Sequence, residues 1–421
     1  MTSPARASRL RSVKGGDVEL KREKIRLLTF STLYPSSVRP GHGIFVETRL
    51  RELVSSGKVE ARVIAPVPWF FSTHPRFGEY ARMASIPQRE HRNGFDVQHP
   101  RYFLPPKVGM NMAPFTLALG ARPAIQTLLD EGYDFDVIDA HYYYPDGVAA
   151  ALLARHFNKP FTVTARGSDI NLIAGHAIPR MLMRWASKRA NASIGVSAAL
   201  TQAMLKMGVP AAGLLTMPNG VDLGRFQIQA QKSVRAELAW PQEPTLLSVG
   251  NLVENKGHHI AIQALVNLPA FRLVIAGEGP QRSALESLVH QTNMASRVQF
   301  LGRVDQDKLA QCYSAADILV LPSSREGWPN VLLESMACGT PVVATGVGGI
   351  PEIVTSNDAG RLISARTPSS LVEGVQALWR SMPEKSQVRS IAQARSWQST
   401  TDAQVNLFSQ IATRTSTSIR G

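Results

Sequence analysis

The sequence has 421 residues, too many for one ordinary core and enough for two of about 200 residues each. Its 44% hydrophobic and 19% charged composition is that of a globular chain, and no apolar run approaches the roughly 20 residues that span a bilayer. The formal charge is +14, concentrated in residues 1–225, where 29 Lys and Arg face 17 Asp and Glu, against 17 and 15 in residues 226–421.

Such an asymmetry implies an anionic partner for the first half, either a lipid surface or a charged molecule. Nucleic acid ranks below these, because no basic run is interleaved with aromatics and no nucleic-acid-binding motif appears. The start of the chain is basic but lacks an apolar segment before a cleavage site, so a cytoplasmic protein is expected, in reach of the inner face of a membrane. Cys312 and Cys338 are the only cysteines, which argues against a disulfide framework or a cysteine metal site and for two buried thiols.

Residues 1–24 are rich in Ser, Arg, Lys and Gly and are expected to be a disordered basic tail. Residues 25–31 read as a first buried strand, and the loop 34–43 carries Gly41 and Gly43 ahead of a helical pattern over 44–53. Glycine there lets backbone approach a ligand, or simply makes a turn. Residues 59–66 form a second strand, and 66–101 reads as a long irregular excursion of the kind that serves as a binding loop. Asp134 and Asp136 precede a strand over 137–140 and suit turn-forming aspartates better than a metal site. His141 follows that strand at its carboxyl end, where it either lines a cleft or is a structural histidine. After the strand 161–165 comes Arg166-Gly167-Ser168-Asp169, with Ser168 or Asp169 able to cap the next helix. Residues 179–190 place Met181, Leu182 and Trp185 near Arg180, Arg184, Lys188 and Arg189. This basic amphipathic segment either lies on anionic lipid or packs on its own domain with a solvated basic face. Asn219-Gly220 is a tight turn at which a linker can bend.

The pattern restarts with a strand over 245–249, the loop Gly250-Asn251 to Lys256-Gly257 and a helix through Leu265. A lysine just before a helix can neutralise phosphate. The strand 271–276 leads into Gly277-Glu278-Gly279-Pro280, which again allows close backbone approach. Residues 318–321 form a short buried strand, Pro329 reads as the first position of a helix with a stripe of Leu332, Leu333, Met336 and Ala337, and Gly339 closes it. This order puts Glu326 beyond a strand's carboxyl end and Glu334 on the helix. Between them lie the amides of Gly327, Trp328, Pro329's neighbour Asn330 and Val331 at a positive helix end, a natural anion site. Residues 388–410 have helical spacing that includes Trp397.

The string from Glu326 to Glu334, followed by Met336-Ala-Cys-Gly-Thr-Pro-Val-Val-Ala, resembles the donor-site signature of retaining glycosyltransferases of family 4. The resemblance implies the GT-B fold, two α/β Rossmann-like doubly wound domains facing a cleft. It implies that Glu326 binds the donor sugar, that Glu334 holds the nucleotide ribose, and that Lys256 stabilises the leaving diphosphate. The family pairs that lysine with an arginine where this chain has Asn251, and Arg325 is one candidate replacement. Arg166 stands where the family often has histidine, and 163–171 looks like the branch that makes anionic surface polysaccharides. Gly41 and Gly43 match a first loop facing the cleft, Asn219 an interdomain boundary motif, and Gly250, Gly277 and Gly279 the nucleotide side.

The domain expectation is a tail to residue 24, an acceptor-side domain over 25–222, a donor-nucleotide domain over 223–394, and a segment 395–421 returning to the first domain. The expected partners are a sugar nucleotide, with uridine diphosphate as the carrier by family frequency, and a glycan or lipid-linked acceptor, with peripheral membrane contact and no nucleic acid. The sugar nucleotide is a co-substrate, and no metal or other cofactor is expected. The rival readings are a GT-B-like epimerase or phosphorylase, and a catalytically silent subunit of a polysaccharide assembly complex.

Overall fold

The computed structural model describes residues 24–105 and 109–418. The expected basic tail lies outside the described residues but for Lys24. Two sheets organise the chain. The strands of the first lobe are β1 (Ile25–Phe30), β2 (Val59–Ile64), β3 (Val67–Pro68), β4 (Arg89–Arg92), β5 (Phe95–Gln98), β6 (Arg101–Tyr102), β7 (Val137–His141), β8 (Phe161–Ala165), β9 (Ala192–Gly195) and β10 (Leu214–Thr216). Eight of them form one sheet in the order β10-β9-β8-β7-β1-β2-β5-β4, while β3 and β6 pair as a small parallel ribbon. In that sheet β4 alone runs antiparallel to its neighbour.

The second lobe contributes β11 (Thr245–Val249), β12 (Arg272–Ala276), β13 (Val298–Gly302), β14 (Ile318–Leu321), β15 (Val342–Thr345) and β16 (Gly360–Ile363). They form a parallel sheet in the order β13-β12-β11-β14-β15-β16. Strands β7, β8, β11, β14 and β15 are buried at every position, as expected where helices cover both faces of a sheet. The strand order reverses between β1 and β7 in one lobe and between β11 and β14 in the other, and ligands of open α/β sheets bind outside such points. This is the two-lobed GT-B architecture.

Three stretches differ from the sequence expectation. Residues 66–101 are not irregular: they contain the ribbon strand β3, the helix Glu79–Ala84 and the hairpin β4–β5. The hairpin turns on Asn93-Gly94, both at positive φ, a two-residue turn whose twist matches its strands. The amphipathic helix runs over Ala177–Ser187, starting two residues early. The closing helical stretch breaks into Lys385–Gln393 and Trp397–Ser418, because the chain changes lobes between them. At that crossing the Val221 amide donates to the Arg395 carbonyl (3.2 Å), and Val221 bridges Ser396. The final helix buries Val405, Phe408 and Ile411 against Leu27, Val46, Leu50 and Leu53 of the first lobe. Its apolar stripe therefore completes the outer core of a lobe that the chain left some 180 residues earlier.

Candidate active site

Lys256 follows β11 and Glu326 follows β14, the two strands at the second lobe's reversal point. That placement brings Lys256 Nζ to 2.7 Å from Glu326 Oε1, which also accepts from Ser323 Oγ at 2.7 Å. The pair lies beside the amino end of the helix Asn330–Ala337. Pro329 is not its first residue but its N-cap, at φ −80° and ψ 96°, so the extended Pro329 aims the preceding backbone at the cleft instead of continuing it.

Across the cleft the loop after β8 meets this tip backbone to backbone. A Cβ on Gly327 would collide with the Arg166 carbonyl, and one on Gly167 would lie 3.0 Å from Gly327 Cα, so both positions require glycine. Gly277, at φ 154°, is needed for a similar reason: a Cβ there would collide with the Gly250 carbonyl, while one on Gly279 would meet Leu252. These glycines thus interlock the loops after β11 and β12. Gly250 itself lies alongside the Lys256 stem, with its ideal Cβ 3.5 Å from Lys256 Cδ and Cε.

Arg166 is the centre of a second group. Its Nη2 donates to His141 Nδ1 (2.5 Å), its Nη1 to Asn219 Oδ1 (3.1 Å), and its guanidinium lies 5.1 Å from the Phe45 ring centroid. His141 Nε2 faces Asp139 Oδ2 at 3.1 Å. Since Nδ1 accepts, Nε2 carries the proton. Burial, with Arg166 adding to it and Asp139 opposing, pushes the His141 ring down to about 4, so the imidazole is neutral. Burial works to raise the Asp139 carboxyl, but His141, Thr162 and Arg49 outweigh it and hold it below its usual value. Burial and neighbouring Arg49 lower Arg166 well below an ordinary guanidinium.

Asn219 ties the lobes together. Its Oδ1 accepts from Arg166 and, at 3.3 Å, from Arg49 Nη1, its Nδ2 donates to Asn330 Oδ1 (3.2 Å), and its carbonyl accepts from Trp328 Nε1 (2.9 Å). The Trp328 indole is buried beside Gly349 and fastens the Asn219 backbone, which leaves the expected role of its amide at the helix tip as it stood. Arg49 is a residue the sequence reading missed. It sits on the apolar stripe of the helix Ile44–Ser55 with Val46, Leu50 and Leu53, and an arginine on that stripe was the available signal.

Glu334 is separated from Glu326 along the helix and faces a different part of the gap, shared with Phe45, Thr48 and Arg51 of the first lobe. Its Oε2 accepts from Tyr313 OH at 2.9 Å. Burial raises the carboxyl to about 7, with Tyr313 and Arg225 pulling the other way. Val331 is half-buried beside it. Of the remaining candidates, Gly43 is the N-cap of Ile44–Ser55 at φ 68°, Gly41 is exposed in the same loop, and Asn251 is exposed, with its carbonyl accepting from His258 Nε2 at 3.2 Å. Arg325 is exposed and lies outside the Lys256–Glu326 pair. Among the described residues no cluster of His, Cys, Asp or Glu is placed to hold a metal, and no helix is long and apolar enough to cross a membrane.

Residues 41–225 match the family described as Glycosyltransferase Family 4, and residues 230–397 match Glycosyl transferases group 1. A Bacillus subtilis (strain 168) relative, named as the teichuronic acid biosynthesis glycosyltransferase TuaC, is 30% identical over 83% of this chain and 88% of its own. The chain belongs to glycosyltransferase family 4. The enzyme is similar also to an N-acetyl-alpha-D-glucosaminyl L-malate synthase of Bacillus anthracis, at 25% identity over 67% of this chain and 76% of the relative. Its fold is that of sucrose-phosphate synthase from Thermosynechococcus elongatus (TM-score 0.75, 22% identity, 92% and 99% of the two chains). The same holds for HepE of Anabaena, solved with UDP (TM-score 0.69, 18% identity, 92% and 100%). This glycosyltransferase therefore carries the Lys256–Glu326 pair, the Asn330–Ala337 tip and the Arg166 group at one cleft between its lobes.

Proposed function

We propose that this glycosyltransferase moves a sugar from a nucleoside diphosphate, with uridine as the base, to a glycan or lipid-linked acceptor with retention of anomeric configuration. The product belongs to surface polysaccharide or glycoconjugate synthesis. The observation that carries the reading is Lys256 beside Glu326 at the amino end of a helix. As the bond from C1 to the diphosphate breaks, charge builds on the leaving phosphate, where a lysine, peptide N–H groups and a helix dipole all favour it. Glu326, held by Ser323, accepts from a sugar hydroxyl, and Glu334 accepts from the ribose. The acceptor oxygen bonds to C1 on the same face, and its proton passes to the departing phosphate oxygen. Arg166, oriented by neutral His141, supplies the cation of the opposite wall in place of the family's histidine. Arg166 is then a second candidate, beside Arg325, for the cation that complements Lys256.

Support for the donor comes from HepE, whose structures hold UDP and UDP-glucose. Support for the product comes from the teichuronic acid relative. The enzyme works at the inner face of an anionic membrane. Ile178 and Met181 are exposed beside exposed Arg180, Arg184, Lys188 and Arg189, and no acidic residue occurs between Asp169 and Asp222. Lys256→Ala and Glu326→Gln test the chemistry: each is expected to lower acceptor-dependent nucleotide release by about 10²–10³ with an unchanged circular dichroism spectrum. Wild-type turnover in both variants overturns these roles, and conversion of the sugar nucleotide without acceptor favours an epimerase.

A further inference from the structure

The carboxyl ends of β1 and β2 border a cavity of about 190 Å³ that the donor-side residues do not line. Its walls combine apolar Val67, Met83, Ile86 and Tyr102 with Arg39 and His42. Arg39 Nη2 donates to His42 Nδ1 (3.2 Å), and His42 Nε2 donates to the Thr32 carbonyl (3.1 Å), so the histidine is a fixed neutral support and the guanidinium brings the charge. Glu79 stands 3.9 Å from Arg39 Nε, beyond a hydrogen bond. Arg303 of the second lobe is close enough to act electrostatically on Arg39, so this corner borders the second lobe.

Immediately beyond the cavity walls the surface becomes apolar. Trp69 follows β3 and Phe103 follows β6. Their side chains are 53% and 57% exposed, although the Trp69 amide is paired with the Tyr102 carbonyl (2.7 Å). Phe71 is 67% exposed, in a cluster with Phe70, Phe77 and Tyr80 whose ring centroids lie 4.5–5.3 Å apart. Met112, Phe115 and Leu119 are also exposed, at a spacing that aligns them on one face of the helix Gly109–Asp130. This helix packs on β6, where a Cβ on Gly120 would collide with the Arg101 carbonyl. Single exposed apolar side chains are ordinary, but an exposed aromatic cluster such as Phe70, Phe71, Phe77 and Tyr80, beside a cavity that holds an arginine, marks a binding surface. Arg76 flanks it, stacked 4.6 Å over Phe77, while Arg82 pairs with Glu79 at 2.7 Å and so draws that carboxylate away from Arg39. A second copy of this chain would bring the same positive excess and be repelled, whereas an anionic amphiphile would be drawn in.

We propose that cavity and apron form one acceptor site for a phosphate-bearing lipid, its anionic head held by Arg39 beside the donor lobe and its hydrocarbon chain lying along Trp69, Phe71 and Phe103. This rests on the glycosyltransferase reading and narrows its acceptor to an amphiphile. Calorimetric titration of the full chain with farnesyl monophosphate, farnesol and inorganic phosphate tests it, with UDP, GDP and ADP titrated in parallel. Farnesyl monophosphate is expected to bind at least about tenfold more tightly than either fragment, because it engages both halves of the site. The triple variant Trp69→Ser, Phe71→Ser, Phe103→Ser is expected to lose that advantage while keeping its nucleotide affinity. Arg39→Gln is expected to make farnesyl monophosphate bind no better than farnesol. Equal binding of farnesol and farnesyl monophosphate by the wild type overturns the inference. So does equal flotation with phosphatidylcholine vesicles with and without farnesyl monophosphate, which makes the apron a plain membrane anchor. A dimer in sedimentation velocity that the triple variant dissolves makes it a protein interface. If a nucleoside diphosphate binds and farnesyl monophosphate does not, this inference alone falls; if none of the nucleotides binds, the proposed donor falls with it.

Discussion

The Glu334 carboxyl, raised to about 7 by burial, is a titratable contact at the place where a ribose is expected. A ribose hydroxyl donates more strongly to an ionised carboxylate than to a protonated one. Nucleotide affinity is therefore expected to rise by up to about tenfold between pH 6 and pH 8, since one pKa unit corresponds to a factor of ten. Glu334→Gln is expected to bind weakly with a flat profile, and calorimetry at five pH values checks both. Burial also decided how Arg166 works. The sequence shows an arginine after a strand, but not that its Nη2 meets a neutral histidine 25 positions earlier or that its Nη1 meets Asn219, 53 positions later. Asn219 was legible as a turn residue because Asn-Gly has a local signature. Its four partners were not, because they come from three segments far away in the chain, around Arg49, Arg166 and Trp328 to Asn330.

At the scale of elements, the helix Ala198–Met207 shows how one lobe caps the other. Its N-cap Ser197 accepts from the Leu200 amide (3.1 Å), while Glu352 of the second lobe accepts from the Ala198 and Ala199 amides at 2.8 and 2.9 Å. A carboxylate at a helix amino end satisfies two orphan N–H groups and the positive end of the dipole. Glu352→Ala is expected to cost about 1 kcal/mol of stability in denaturant unfolding. It is also expected to enlarge the radius of gyration in solution scattering and raise KM for the donor, because this carboxylate is a direct polar contact between the lobes. The strand–loop–helix alternation that frames Glu352 was readable in the sequence, since buried parallel strands are continuous apolar runs. The β4–β5 hairpin was overlooked although Asn93-Gly94 announces it. The 22-residue helix Gly109–Asp130 gave a weaker signal, because Pro114 and Pro123 interrupt its pattern.

For the whole molecule, the last helix makes the first lobe's stability depend on the far end of the chain. Phe408, fully buried against β1 and the helix Ile44–Ser55, is expected to cost about 3–5 kcal/mol when changed to Ala, with the first lobe's amides losing exchange protection. Stability should also depend on pH in a defined way. His42, His141 and His258 are held down to about 4 by burial, so their contribution is lost as pH falls from about 6.5 through 4. Burial raises Glu334 to about 7 and Asp146 to about 8, so the folded state binds the extra protons and stability falls as pH rises from the ordinary carboxylate range through those values. The two sets oppose each other below about pH 6.5, and above it the histidines drop out, so melting temperature is expected to fall between about pH 6.5 and pH 8. Asp146→Asn is expected to flatten the alkaline limb in calorimetric scans.

The sequence by itself determined the fold class, the two-lobe organisation and the segment from Glu326 to Glu334. These rest on local periodicity, turn chemistry and contiguous residues that keep their spacing in any context. Tertiary structure alone decided that Lys256 pairs with Glu326, that the Trp328 indole fastens the Asn219 carbonyl, and that Arg166, His141 and Asn219 form one group. The physical reason is that a hydrogen bond or a burial shift depends on distance in space. The strand order around β1 and β7 and around β11 and β14 sets those distances, and no single segment of the chain carries that order.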